Sequence, residues 1–140
     1  MRNQWTRKVV AVVPVTAGLL LLSISLFAHH GTNISYDQSK PVTLKGVMTD
    51  FNYKNPHPQV FFDVIDESGN VTHWVGEIAP TPFTLSQHGW TKSRSSEALK
   101  PGTRITITLG PSRAGTPVGV VMKIVNDKGQ EILDQRAGEQ

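Results

Sequence analysis

From Pro41 onward the chain alternates between apolar and polar positions. Val42, Leu44 and Met48 fall on one side of a period-2 pattern, with Gly46 between them, and Thr43, Lys45 and Thr49 fall on the other. Such alternation marks a strand with one buried face. Gly46 in its middle predicts a bulge or a sharp bend, as a tightly coiled barrel strand needs. Asn55-Pro56-His57-Pro58 then interrupts the pattern, because proline has no N–H to give a central strand. Alternation resumes with Val60, Phe62 and Val64 against Gln59, Phe61 and Asp63. Asp66 to Asn70 has the composition of a hairpin loop. In the third strand, Val71 to Ile78, residues Thr72, Trp74, Gly76 and Ile78 share one face, and His73, Val75 and Glu77 share the other.

A helix signal follows. Thr81 can cap, Pro82 suits the first helical position and Gly89 can terminate, which leaves Phe83 to His88 as barely two turns. Trp90 is placed to pack that helix onto the sheet, and Thr91 to Glu97 reads as a polar, serine-rich loop. Leu99-Lys100-Pro101-Gly102 is a turn into a strand with Ile105, Ile107 and Leu109 on one face. Gly110 to Thr116 is a loop. The last long strand, Pro117 to Val125, points inward through Val118, Val120, Met122 and Ile124. Asp127-Lys128-Gly129 turns into a short tail strand, Gln130 to Leu133. Three strands, a short helix and two strands is the element order of an OB-fold, a partly open five-stranded β-barrel. A β-sandwich would need about seven strands. The fold class predicted is therefore all-β with one short helix, and the core expected comprises Val60, Phe62, Val64, Trp74, Ile78, Ile105, Ile107, Val120, Met122 and Ile124.

The first residues follow a different pattern. Arg2, Arg7 and Lys8 precede an uncharged run from Val9 to Phe27, and Leu26-Phe27-Ala28 offers a small residue before a cut. That is the form of a secretory signal peptide over residues 1–28. The alternative is an uncleaved anchor, since an apolar run of this length approaches the roughly 20 residues that span a bilayer. Either way, everything after Ala28 is expected outside the cytoplasm, periplasmic or secreted, or anchored in the inner membrane and facing the periplasm. Residues 29–40 are polar and aperiodic and read as an extended arm, residues 41–134 as the OB-like barrel, and residues 135–140 as a frayed tail.

Export changes the meaning of the charge. The chain has 14 Lys+Arg and 11 Asp+Glu. Three of the basic residues and none of the acidic ones lie in the signal, so the mature part is formally neutral. The sequence pI near 9.4 belongs to the precursor. A nucleic-acid surface needs an excess of Lys and Arg to displace counterions, so no nucleic-acid partner is expected, and the only membrane contact would be through an uncleaved N-terminal segment. The absence of cysteine excludes a disulfide framework, a thiolate metal site and a cysteine nucleophile.

An ordered set of short motifs carries a resemblance. His29-His30 follows the signal directly, Tyr36-Asp37 precedes the Lys-Pro-Val-Thr-Leu-x-Gly stretch from Lys40 to Gly46, and Asn55-Pro56-His57 comes next. Trp74 stands three residues before Glu77, Gly89-Trp90 follows, and Leu99 to Gly102 opens the last pair of strands. In these features the chain resembles a family of small exported bacterial proteins catalogued as domain of unknown function 6152. The resemblance covers nearly all of the mature chain. It departs at Gly31, where the family often has Ser. It implies fold and compartment, and no activity.

The sharpest candidate chemistry lies at the mature terminus. Cleavage after Ala28 leaves His29 with a free α-amine, which titrates near about 8. Amine and imidazole of one residue form a chelate that favours copper, the strongest binder of the divalent series. A cut one residue earlier leaves Ala28-His29-His30, whose third-position histidine gives another square-planar chelate. The plainer alternative is a polar arm. His57, held between prolines that restrict the backbone, is a further candidate ligand or a simple loop histidine. Glu77 is a fourth, or else pairs with Arg104 or a histidine, or caps the helix loop. His73 shares a face with Glu77 but stands roughly 13 Å away along the strand, and reads as a surface residue. His88 complements the helix dipole. Phe51, Tyr53, Phe61 and Phe62 offer stacking faces of the kind OB-folds use. No nucleophile elbow, paired carboxylates or phosphate loop appears. The function expected is an exported, non-enzymatic binding module. Its most concrete ligand is copper or another divalent metal on His29, His30, His57 and Glu77. The alternative is an OB-type adaptor that binds a protein or small-molecule partner through its barrel face, without metal.

Overall fold

A computed structural model describes residues 35–134 of the 140. The signal segment, His29, His30 and the tail 135–140 lie outside the described residues. The elements are β1 (Val42–Asn52), β2 (Gln59–Ile65), β3 (Val71–Glu77), α1 (Pro82–Gln87), α2 (Lys92–Ala98), β4 (Arg104–Pro111), β5 (Val118–Asn126) and β6 (Glu131–Ile132). The sheet runs β3-β2-β1-β4-β5-β6, and β3 also pairs with β5. That last pairing, Val75–Glu77 alongside Val118–Val120, is parallel, and all the others are antiparallel. The result is the expected OB-type barrel, closed rather than partly open. β6 pairs with β5 at Ile124 and Val125, beyond the short stretch that β3 uses.

Closure brings the alternating apolar rows together. Met48, Val60, Phe62, Ile105, Ile107, Leu109 and Ile124 are all at most 3% exposed. The helical segment adds Leu85, Trp90 and Leu99 to the same core. Each such side chain contributes about 1.5–3 kcal/mol when fully buried, and with no cysteine this burial carries the fold. α1 forms as its signals predict. The Thr81 hydroxyl accepts from the Thr84 N–H at 3.2 Å, Pro82 opens the first turn, and Gly89 takes φ 78°. The Trp90 indole donates to the Asp134 carbonyl at 2.9 Å, tying the end of the domain to this corner.

Four expectations need correction. Thr91 to Glu97 is not a loop, because Lys92–Ala98 is helical. Its only buried residue is Ser95, so there is no apolar period to read. It is held by the Thr91 cap and by Arg94, whose guanidinium lies 4.0 Å over the Trp90 ring and donates to the Gly89 carbonyl. Gly46 is not at a bulge. The irregularity in β1 falls between Met48 and Asp50, and Gly46 instead admits Phe62, whose ring would stand 2.7 Å from a Cβ there. In β5, Lys123 pairs with Thr108 but Val121 pairs with Leu109, so Met122 is an extra, bulged residue and is 47% exposed. The bulge reverses the phase of the strand. Val121 packs on the core, while Val118 and Val120 turn to the outer face; Val120 is nevertheless buried, paired with Gly110, which Gln38 of the arm approaches. Val64 is only half-buried, because its pair with Thr72 extends past the point where β5 closes the barrel.

Candidate functional site

The register of the β2–β3 hairpin decides what the barrel shows to its surroundings. Phe62 pairs with Trp74 on the inside, where the rings stack with centroids 6.4 Å apart. The intervening pairs must then face outward, since strand side chains alternate. They are Gln59–Glu77, Phe61–Val75, Asp63–His73 and Ile65–Val71. Parallel pairing sets Val118 beside Val75 and Val120 beside Glu77. Phe61, Val75 and Val118, from three strands, thus form one half-buried apolar patch on the outside of the barrel.

Polar pairs frame this patch. At one end His73 Nδ1 lies 2.6 Å from Asp63 Oδ1, with the histidine side chain 82% exposed. At the other the Tyr36 hydroxyl donates to Glu77 Oε2 at 3.2 Å. Burial, followed by the charge of Glu77 and this hydrogen bond, raises the phenol above its ordinary value of 10.0. Glu77 therefore finds its partner in the arm rather than in Arg104 or a histidine. The described part of the arm is tied to the β4–β5 corner. Tyr36 bridges to Ser112, Asp37 N–H donates to the Pro111 carbonyl at 2.8 Å, and Arg113 N–H donates to the Ser35 carbonyl at 3.0 Å. Arg113 and Asp37 add a 3.5 Å ion pair. A tyrosine in an aperiodic arm carries no sign of a partner 41 residues away; Tyr36 was legible only as part of a motif.

The proposed metal ligands divide. His29 and His30 lie outside the described residues. His57 is placed near the end of β3, since the Ile78 N–H donates to the carbonyl of the next residue, Pro58, at 2.9 Å. Its Nδ1 is buried without a hydrogen-bond partner. A metal-ligating histidine usually donates its second ring N–H to a carboxylate or carbonyl, and His57 has none there. Among the described residues no group of three or more His, Cys, Asp or Glu is arranged to hold a metal ion. Neither His57 nor Glu77 belongs to such a group among the described residues. His88 caps the C-terminus of α1, with its own Nδ1 buried and unpartnered.

The aromatic candidates divide as well. Phe62 is core. Tyr53 is committed to the helical segment, its hydroxyl 2.8 Å from the carbonyl oxygens of both Pro82 and Trp90. Phe51, paired with Val60, packs against the core. Only Phe61 of the four faces outward.

The family's sequence profile matches residues 17–122, well over half of the chain. The chain belongs to the family of unknown function DUF6152. A comparison with curated proteins found no match. The motifs that tie this chain to DUF6152 sort by position in the barrel. Trp90 and Leu99 are buried in the core, and Gly89 and Gly102 take positive φ in turns. Tyr36 and Glu77, by contrast, meet on the outside, at the margin of the apolar patch.

Proposed function

We propose that this member of DUF6152 is an exported, non-enzymatic binding module of the periplasm, and that it engages a protein or small-molecule partner through the outer face of β2, β3 and β5. The observation that carries this reading is the grouping of Phe61, Val75 and Val118 on one outer face, framed by Tyr36–Glu77 and Asp63–His73. Aromatic and aliphatic groups held on a rigid sheet and rimmed by polar pairs are the usual anatomy of a binding surface, and the face of strands 2 and 3 is where OB-folds bind. Asp63 and Glu77 on this face would repel a phosphate backbone, so nucleic acid is not the partner proposed.

Export is tested by the intact mass of the recovered protein. Loss of residues 1–28 is the outcome expected, and a retained segment would make the protein a membrane-anchored one. The face is tested by placing a photo-crosslinking side chain at Phe61 or Val118 in the living cell, with Lys123 as the control position. Discrete adducts from the first two positions alone are expected. Equal labelling at all three, or none, would remove the face from consideration.

A second reading keeps copper or another divalent metal as ligand, favoured by the adjacent His29 and His30 directly after the predicted cut. Binding through the terminal amine and imidazoles must release protons and weaken as pH falls through about 6.5. One extra residue ahead of His29 separates amine from imidazole. If calorimetry finds equal Cu²⁺ affinity with and without that residue, the terminal chelate is wrong. His57→Ala tests whether the barrel contributes a ligand.

A further inference from the structure

The outer surface of β1 and β4 carries a groove beside the binding face just described, with Asp63 at the border of both. Its open volume is about 470 Å³, within the range of roughly 300–1,000 Å³ typical of small-molecule sites. Lys45 pairs with Thr106, and Val47 pairs with Arg104 on one side and Asp63 on the other. All of these residues line the groove, together with Ile65 at the tip of β2 and Asp127 in the turn after β5.

We propose that this groove binds a small amphipathic anion, a carboxylate or sulfonate carried on an apolar body. The charges select the head group. Lys45 and Arg104 form no ion pair among the described residues. Asp63 is already engaged by His73 at 2.6 Å. The lining thus carries two cations and two carboxylates, Asp63 and Asp127, and is formally neutral. The two cations without ion pairs offer a place for a single negative charge. The two carboxylates disfavour a polyanion. The apolar body is selected by Val47 and by Ile65, which is 61% exposed although large and aliphatic. A ligand lying from Arg104 toward Ile65 would cover that side chain and neutralise the cations together. Asp127 would then accept from any hydroxyl or amide the ligand carries.

The inference does not rest on the partner face: Asp63 borders both, but none of Phe61, Val75 and Val118 lines the groove. Its test is a fluorescence titration of the purified protein with 1-anilinonaphthalene-8-sulfonate, followed by displacement with octanoate. Saturable enhancement that octanoate reverses is expected. Exposed charge pairs contribute modestly, so Lys45→Gln and Arg104→Gln should each weaken binding about three- to fivefold, and together about tenfold or more. Lys45→Arg should restore affinity, and Ile65→Ser should weaken it without altering the salt dependence. Lys123→Gln removes a positive charge outside the groove and should change nothing. Tryptophan emission and thermal melting confirm that each variant is folded. Absence of saturable binding overturns the proposal. So does binding that Lys45→Gln and Lys123→Gln weaken equally, which would reflect net charge alone. Either failure leaves the crosslinking result at Phe61 and Val118 untouched.

Discussion

Phe61 and Phe62 are neighbours in sequence and face opposite ways. Phe62 is 1% exposed, stacks on Trp74 and approaches β1 where Gly46 leaves room for its ring. Phe61 lies half-buried on the outside, beside Val75 and next to the hydrogen-bonded His73 and Asp63. Every neighbour of Phe62 is explained by the core. The neighbours of Phe61 are not, because a barrel needs no aromatic residue on its outer surface. On this hairpin the inner row closes the core and the outer row is left to the surface.

The largest effect belongs inside. Phe62→Ala should cost about 3–5 kcal/mol in denaturant unfolding. Phe61→Ala should cost about 1 kcal/mol or less, since only part of its apolar area leaves contact with protein. Equal losses would mean that Phe61 is structural and would weaken the face as a binding site. Next comes Gly76, in the same hairpin. An added Cβ there would stand 2.7 Å from side-chain carbons of both Val121 and Val60. Gly76→Ala should therefore destabilise by about 1–3 kcal/mol through overpacking, read as a lowered melting temperature.

The Tyr36–Glu77 pair should matter less. Tyr36→Phe or Glu77→Gln removes one partly buried hydrogen bond, worth about 0.5–1.5 kcal/mol. The pair has a distinct signature in ultraviolet titration of the phenol. Glu77→Gln should bring the Tyr36 titration down toward 10.0 but not fully to it, because burial is the larger cause of the shift. The sign for stability follows. The unfolded chain releases this proton near 10.0, while the folded protein holds it to higher pH. Below 10.0 the contribution is fully present, and it is lost as pH rises from there through the folded value. A Tyr36 that titrates at 10.0 in the intact protein would contradict the contact.

The smallest effect is expected at His73. Its link to Asp63 is short, but the imidazole is 82% exposed, and such pairs contribute about 0–1 kcal/mol. His73→Ala should leave the melting temperature nearly unchanged. If it nevertheless suppresses crosslinking from Phe61, the pair serves recognition and not the fold.

Much of this barrel is determined by local order in the chain. Alternation along β2, β3 and β4 separates inner from outer side chains, because a strand with one buried face must repeat every two residues. Thr81, Pro82 and Gly89 delimit α1 through backbone chemistry confined to a few residues. Glu77 was also legible as a polar candidate, standing on an outward row next to an apolar residue.

Tertiary structure alone decided the rest. α2 has no apolar stripe, and it is held by its cap and by Arg94 over Trp90, a contact that exists only once the corner has folded. The bulge at Met122 inserts one residue and reverses the strand phase, so Val118 moves from expected core to the outer face. A period-2 reading cannot register such a step, because the hydrophobic pattern on either side of it is unchanged. Tyr36 reaches Glu77 across 41 residues because parallel closure by β5 brings the β4–β5 corner, and the arm bound to it, beside β3. Periodicity reports how each element divides between core and solvent, whereas a partner so distant in sequence is chosen by how the barrel closes.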